Sequence, residues 1–302
     1  MRIANPIYDT AFKYLMEDLD IAKDLIGKII DEEITELIIR PQEYSSKLDS
    51  HSILILRLDF KATIKLQNGS YKTVLIELQK AKVYDDLIRF RRYLGDNYRK
   101  KDQIRTLSGT LQEVPLPIIT IYFLGFPLPE IETSVLKVSR IYEDLISGKQ
   151  LFVKTDFVEK LTHDSFIIQI LALPPKERTE LEGILQVFNQ TYVLMEDKRL
   201  LQIAENVLPN NNLSKRIADR LRRAATDESV LRGMDIEDEY ESTLDGFVRK
   251  LHEKEEALQQ KNEVLQQKEA TISAQTQALN EKDAALAAQQ QLIEALKKQL
   301  GK

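Results

Sequence analysis

Two short stretches hold the residues best suited to chemistry, Arg57-Leu58-Asp59-Phe60-Lys61 and Val74-Leu75-Ile76-Glu77-Leu78-Gln79-Lys80. Each alternates in the two-residue rhythm of a strand with one buried face. Leu58, Phe60, Ala62 and Ile64 fall on one side of the first strand, Asp59 and Lys61 on the other. In the second, Val74, Ile76 and Leu78 share a face opposite Glu77 and Gln79. Between them, Gln67-Asn68-Gly69 suits a three-residue hairpin loop with Gly69 in the left-handed conformation. That register sets Asp59 opposite Glu77 and Leu58 opposite Leu78, so both apolar sets face one core. A two-residue Asn68-Gly69 loop would slip the pairing by one and send the acids to opposite faces, so the apolar pattern selects the longer loop. Two directly opposed carboxylates repel and need a compensating cation. The chain has no cysteine and only three histidines, His51, His163 and His252. Thiolate sites are thereby excluded and a histidine-rich zinc site is disfavoured, which leaves a hard ion on oxygen ligands, Mg²⁺ or Mn²⁺.

The elements that must position these residues are legible around them. Asn5-Pro6 followed by Ile7, Ala11, Phe12, Leu15 and Met16 reads as a capped helix start with Pro6 at the first helical position. Asp9 then sits in the first turn, where an acid complements the helix dipole and can pair with Lys13. A second helical stretch covers Ile21 to Ile30. Ile34 to Ile39, Ile53 to Leu66 and Thr73 to Leu78 read as strands. Tyr84 to Leu107 returns to a helical period, with Leu87, Phe90, Leu94 and Tyr98 on one stripe and Arg89, Arg92, Arg99 and Lys100 beside it. Ile118 to Phe123 is a short apolar run, read as a buried strand that stops at Gly125 and Pro127. Helix, strands, helix, strand in this order fit an α/β or α+β core. Val135 to Leu173 carries mixed strand and helix signals, and Pro174 to about Lys250 is mostly helical in pattern.

With these residues in place, the chain resembles the PD-(D/E)XK nuclease superfamily. An acid at a strand start, an acid in the next strand and a polar residue two further on is similar to its signature. Glu77-Leu78-Gln79 resembles the recombination-promoting nuclease and transposase-like subfamily, in which Gln takes the lysine position. The opening Asn5-Pro6-Ile7-Tyr8-Asp9-Thr10-Ala11-Phe12-Lys13, the Pro117 to Pro129 run and Phe157 to Asp164 agree with it, so the resemblance spans roughly residues 1 to 245. It implies a restriction-endonuclease-like core, a mixed central sheet flanked by helices. It implies a metal-dependent DNA endonuclease with Asp59 and Glu77 on the ion, Gln79 orienting water and Asp9 as an acidic helper. Gln79 departs from the lysine form, since an amide brings no positive charge to the transition state. Lys61 lies on the right face to supply it. Arg89, Arg92, Arg99 and Lys100 could lie on the phosphate backbone of DNA, although a solvated helix face explains them equally. His163 beside Asp164 reads as structural.

The remainder of the sequence bounds these expectations. Hydrophobic residues make up 43% of 302 and charged residues 30%, a soluble composition with a polar extension. A formal net charge of -5 offers no overall cationic field for nucleic acid. With Gln79, it favours the competing reading, a catalytically weak nuclease fold that only binds nucleic acid or protein. Met1 to Tyr8 has no signal-like apolar run, no stretch approaches membrane-spanning length, and the lack of cysteine suits a reducing cytoplasm. Leu251, Leu258, Leu265, Ile272, Leu279, Leu286, Ile293 and Leu300 recur every seventh residue. This predicts a helix that seeks partners, a coiled coil joining copies of the chain, weakened by Glu255, Asn262, Glu269, Thr276, Asp283 and Gln290 at the other seam position. The expected organisation is a nuclease-like core over 1–135, a mostly helical extension over 136–245 and a heptad tail over 246–302.

Overall fold

The computed structural model describes residues 1–40, 55–65, 71–81, 87–105, 110–176, 179–204, 206–299 and 301. His51, the Gln67-Asn68-Gly69 loop, the start of the helix expected from Tyr84, and Leu300 lie outside them. At positions 59, 77, 79 and 89 the description extends to the backbone. The chain separates into two units, Met1–Asp238 and Glu239–Lys302.

The first unit opens with β1 (Arg2–Ala4), then α1 (Asp9–Met16) and α2 (Leu19–Ile30). Pro6 is not the first helical residue. Asn5 accepts from the Ile7 amide and fixes a turn, and α1 begins at Asp9 after an extended Tyr8. α2 is capped by Asp18, which accepts from the Ile21 amide, and stops at Asp31 in the left-handed region, where a short polar side chain is tolerated. β2 (Glu33–Ile39), β3 (Ile55–Lys65) and β4 (Tyr71–Ala81) follow, then α3 (Leu87–Arg99). α3 is shorter than its periodicity suggests, because Asp102 begins a hairpin of β5 (Asp102–Arg105) and β6 (Leu111–Val114). β7 (Ile118–Leu124) is the expected buried strand.

The ambiguous stretch resolves into β8 (Val135–Val138), a small hairpin of β9 (Tyr142–Asp144) and β10 (Lys149–Leu151), α4 (Asp156–Leu161) and β11 (Asp164–Gln169). α5 (Glu180–Leu185), β12 (Leu200–Gln202), α6 (Asn212–Ala224) and α7 (Glu228–Gln299) complete the chain.

The architecture is α/β around a mixed six-stranded sheet of order β2-β3-β4-β7-β11-β8. β2, β3 and β4 are antiparallel, β7 and β11 run parallel to β4, and β8 is antiparallel to β11. The boundary expected at residue 135 therefore falls within the sheet, because β8 and β11 lie beyond it and complete it. The stretch after 135 is less helical than its pattern, since β8 to β11 are short strands without a long apolar alternation to announce them.

One face of the sheet carries the main core. Leu58, Phe60, Ala62 and Ile64 of β3, Val74 and Ile76 of β4, and Ile121 and Phe123 of β7 pack there against α1, α2 and α6. Phe12, Phe123 and Phe188 meet at its centre, with centroids 5.1 to 5.9 Å apart. The chain also closes on itself: β1 pairs with β12, and the first two turns of α7 pack Val230 and Met234 on Tyr8 and Ala11. Gly233 allows that approach, since a Cβ there would stand 2.6 Å from Thr10 Cγ2. Glu237 then accepts from the amides of Asp9 and Thr10, both at 2.7 Å, and from the Thr10 hydroxyl at 2.6 Å. A carboxylate at a helix N-terminus satisfies orphan donors and meets the positive end of the dipole.

In the second unit the helix runs on through Gln299, and the heptad residues Leu258, Leu265, Ile272, Leu279, Leu286 and Ile293 are all exposed. Among the described residues, no helix is long and apolar enough to cross a membrane.

The closure by Glu237 is testable. Glu237→Gln keeps the shape but loses the charge and one accepting oxygen, and should cost about 1–3 kcal/mol. A lower urea midpoint with an unchanged slope would register it. An unchanged midpoint would show that α1 is held by its apolar face alone.

Candidate functional site

The β3–β4 pairing matches the register selected by the apolar pattern. Asp59 is the Cα partner of Glu77, Leu58 of Leu78, and Arg57 of Gln79. Antiparallel partners stand about 4.5–5.5 Å apart at Cα, close enough for two carboxylates to serve one ion. Leu58, Phe60, Val74 and Ile76 are buried in the main core. Strand alternation therefore puts positions 57, 59 and 61 of β3, and 77 and 79 of β4, on the second face.

The next strands extend this face. Glu77 pairs with Thr120 of β7, and Thr120 pairs with Ser165 of β11, so Asp59, Glu77, Thr120 and Ser165 form one row across four strands. Thr120 is fully buried and donates its hydroxyl to Ser165 Oγ at 2.8 Å. One row along, Gln79 pairs with Tyr122. There α3 covers the sheet, with Phe90 against Tyr122 at 5.3 Å and beside Leu124. α3 thus lies on the acid side of the sheet, with Arg91, Arg92 and Arg99 exposed and Lys100 half-buried just after it. Arg89 lies on the same helix.

Lys61 is on the predicted face, but its ammonium is engaged. It donates to Asp102 Oδ1 at 3.1 Å and to the Gln103 carbonyl at 3.0 Å. Arg40 approaches the other Asp102 oxygen at 3.5 Å. The β5–β6 hairpin thus brings a third acid toward the face that holds positions 59 and 77. Sequence reading missed Asp102 because nothing local to Asp102-Gln103-Ile104-Arg105 marks its partner 41 residues earlier. Thr120 left a signal, a lone hydroxyl within the apolar Ile118–Leu124.

Asp9 is not brought to this row. It opens α1, whose Phe12 packs on Phe123 against the opposite face, and its amide donates to Glu237. A cavity of about 550 Å³ bounded by Lys23, Lys28, Glu33, Glu180 and Arg216 belongs to that same α2–α6 side and not to the acid row. Among the described residues no group of three or more ligating side chains could hold a metal ion. The candidate donor pair read from the sequence is Asp59 and Glu77, two oxygen donors at paired positions, a set of the kind that suits a small divalent cation.

His163 has the structural role expected of it. Its Nδ1 and the Tyr98 hydroxyl share a hydrogen bond of 2.7 Å, tying α3 to the strand that follows. Asp164, next to it, accepts from the Arg140 amide at 3.1 Å and from Arg140 Nε at 2.9 Å. Burial, and then the Arg140 charge, hold the imidazole below its ordinary pKa, with Asp164 opposing. Comparison with protein-family models, with curated proteins and with solved structures returns no match for this chain.

His163 yields a pH prediction. Its pKa is lower in the folded chain, so the unfolded chain binds the proton more readily. The stability it contributes is complete above its ordinary pKa of 6.5 and is lost as pH falls through the folded value. Melting temperature should therefore drop on acidification below that point, and His163→Asn should flatten the drop. An equal slope in both proteins would assign it to other groups.

Proposed function

We propose that this chain is a metal-dependent DNA endonuclease with a restriction-endonuclease-like core, using Asp59 and Glu77 to hold Mg²⁺ or Mn²⁺. The observation that supports this reading is the Asp59–Glu77 pairing, two acids at opposed positions on adjacent strands of a mixed sheet. An ion held there polarises a phosphate oxygen and lowers the pKa of an attacking water. The protein's own residues do the rest. The Gln79 amide, two positions along the same strand, orients water by hydrogen bonding. The hydrogen bond from buried Thr120 to Ser165 fixes the floor of the row beside Glu77. The cations of α3 and of the residue after it, with Arg89, Arg92, Arg99 and Lys100 as candidates, run along the DNA backbone and position it without reading sequence.

One observation favours a second reading, in which the fold binds nucleic acid without cutting it. Lys61, the cation able to offset Gln79, is already paired with Asp102. The two readings separate at one position. If Gln79 orients water, Gln79→Lys retains or raises plasmid cleavage with Mg²⁺ or Mn²⁺, and Gln79→Ala lowers it roughly 10²-fold to 10³-fold. Glu77→Ala should abolish cleavage while leaving the melting curve intact, because position 77 is off the main core. Nicking by a well-folded Glu77→Ala protein would remove the acid pair from catalysis. DNA binding by the native protein with no cleavage under either metal would establish the second reading.

The heptad helix supplies the remaining part of the proposal, self-association that presents two single-site cores to the two strands of a duplex. Its six exposed Leu and Ile residues at seven-residue spacing support this. Deleting residues 251–302 should lower the number of chains per particle in solution and shift products from linear DNA toward nicked circles. An unchanged number of chains per particle by sedimentation would make the helix a site for some other partner.

A further inference from the structure

We infer that the heptad helix binds a second copy of this chain, parallel and in register, by setting its seam acids beside the partner's lysines. The inference rests on the self-association proposed above and adds its direction, its register and the residues that enforce them. It starts from the order of charges along the tail. Lettering each heptad a to g with the leucines at d puts the acids Glu255, Glu269 and Asp283 at a. Each follows a lysine at g, Lys254, Lys268 and Lys282 in turn. Where a is the neutral Thr276 or Gln290, the lysine is absent too, and Gln275 or Gln289 stands before it.

The two central pairs find no counter-charge along their own helix. Helix neighbours that face each other lie three or four residues apart, and adjacent residues do not meet. Three and four residues to either side of Lys268, Glu269, Lys282 and Asp283, every position is uncharged. Elsewhere the same helix does pair its charges internally, Arg249 with Glu253 at 4.0 Å. Residues 253–298 are all exposed. A lone helix would therefore leave both the leucine stripe and its flanking charges to water.

A parallel copy satisfies both. In such a coil a side chain at a enters a hole on the facing helix, and one wall of that hole is the residue just before its own counterpart. In register, Glu269 meets the partner's Lys268 and Asp283 meets the partner's Lys282. Two-fold symmetry repeats each contact, so each of these layers holds two acids and two lysines. The same lysines face position e of the next heptad, where Ser273 and Ala287 make no competing claim on them. Asn262 at a favours the same register, because an amide both donates and accepts and so matches an identical amide opposite. A slip of one heptad moves Asp283 to the partner's Gln275 and loses that pair. Antiparallel pairing along the full helix brings Lys268 against the partner's Lys282, and like charges at g select against that direction.

The test sediments the full chain over a concentration series in three forms. These are the native protein, Lys268→Glu/Lys282→Glu, and a fourfold exchange that adds Glu269→Lys/Asp283→Lys to that double variant. Glu and Lys have similar helix propensity, so far-ultraviolet circular dichroism should stay constant across the three. The double variant sets acid against acid, and its association midpoint should rise at least about tenfold. The exchange restores opposite charges in reversed order and should return the midpoint to near the native value. Direction is read separately with Gln290→Cys, since the chain has no cysteine of its own. In register the two added thiols share one layer, and mild oxidation should link two copies. Antiparallel pairing would hold them about 45 Å apart. An unmoved double variant, an exchange without recovery, or an associated chain that does not cross-link overturns the proposal. A native chain that sediments as a monomer overturns the self-association reading with it, whereas association with an unmoved double variant removes the charge register alone. No readout involves cleavage, so failure of the nuclease reading leaves the result unaffected.

Discussion

Everything on the acid side of the sheet depends on the register between β3 and β4. Side chains on a strand alternate, so a slip of one residue would send Leu58, Phe60, Ala62 and Ile64 to the opposite face together. Phe60 and Ala62 are fully buried, as are Val74 and Ile76 on the partner strand. At about 1.5–3 kcal/mol for burying each large aliphatic or aromatic side chain, the register is over-determined by the core alone. The acids inherit their alignment from that apolar set. Asp59 faces Glu77 across the ladder because Phe60 and Ile76 must share the core, and no favourable contact between the carboxylates is required.

The same sheet explains why a core ending near residue 135 would be incomplete. β7 would lose β11, its parallel neighbour, and present an unpaired edge. The aromatic centre would lose Phe188, and α1 would lose Glu237 from its N-terminus. β1 would lose β12, which pairs residues about 200 positions apart. Such closures carry a loop-entropy cost that grows only slowly with length, so distance along the chain is little obstacle once the contacts are good. The first unit is therefore one cooperative body in which both chain ends serve the middle.

What was legible in the sequence follows from the range of the interactions. α2, β3, β4 and β7 announce themselves by local periodicity, and the β3–β4 register follows from alternation plus loop length. The heptad spacing is equally local. β1, β5, β6, β8 and β12 are strands of three or four residues whose existence depends on distant partners. Val135–Val138 becomes a strand because β11 offers it an edge, and that edge is invisible in its own residues. Pro6 misled in the opposite sense. Proline favours a helix start, but Asn5 had already fixed a turn and Glu237 supplied the cap three residues later. At the candidate site, the acid positions were readable from one hairpin, whereas the Lys61–Asp102 pair and the Thr120–Ser165 bond each needed a second element.

The electrostatics of the second face show why those non-local partners matter. A lone lysine two positions from Asp59 reads as its natural counter-charge. In the folded chain that lysine answers Asp102, which also draws Arg40. The Lys61 ammonium is thus committed to the β5–β6 hairpin. Gln79 brings no charge, being an amide, and the Arg57 position across from it is a further basic position on the same face. The fold therefore sets two acidic positions in register on a paired ladder and holds the Lys61 ammonium on a third acid.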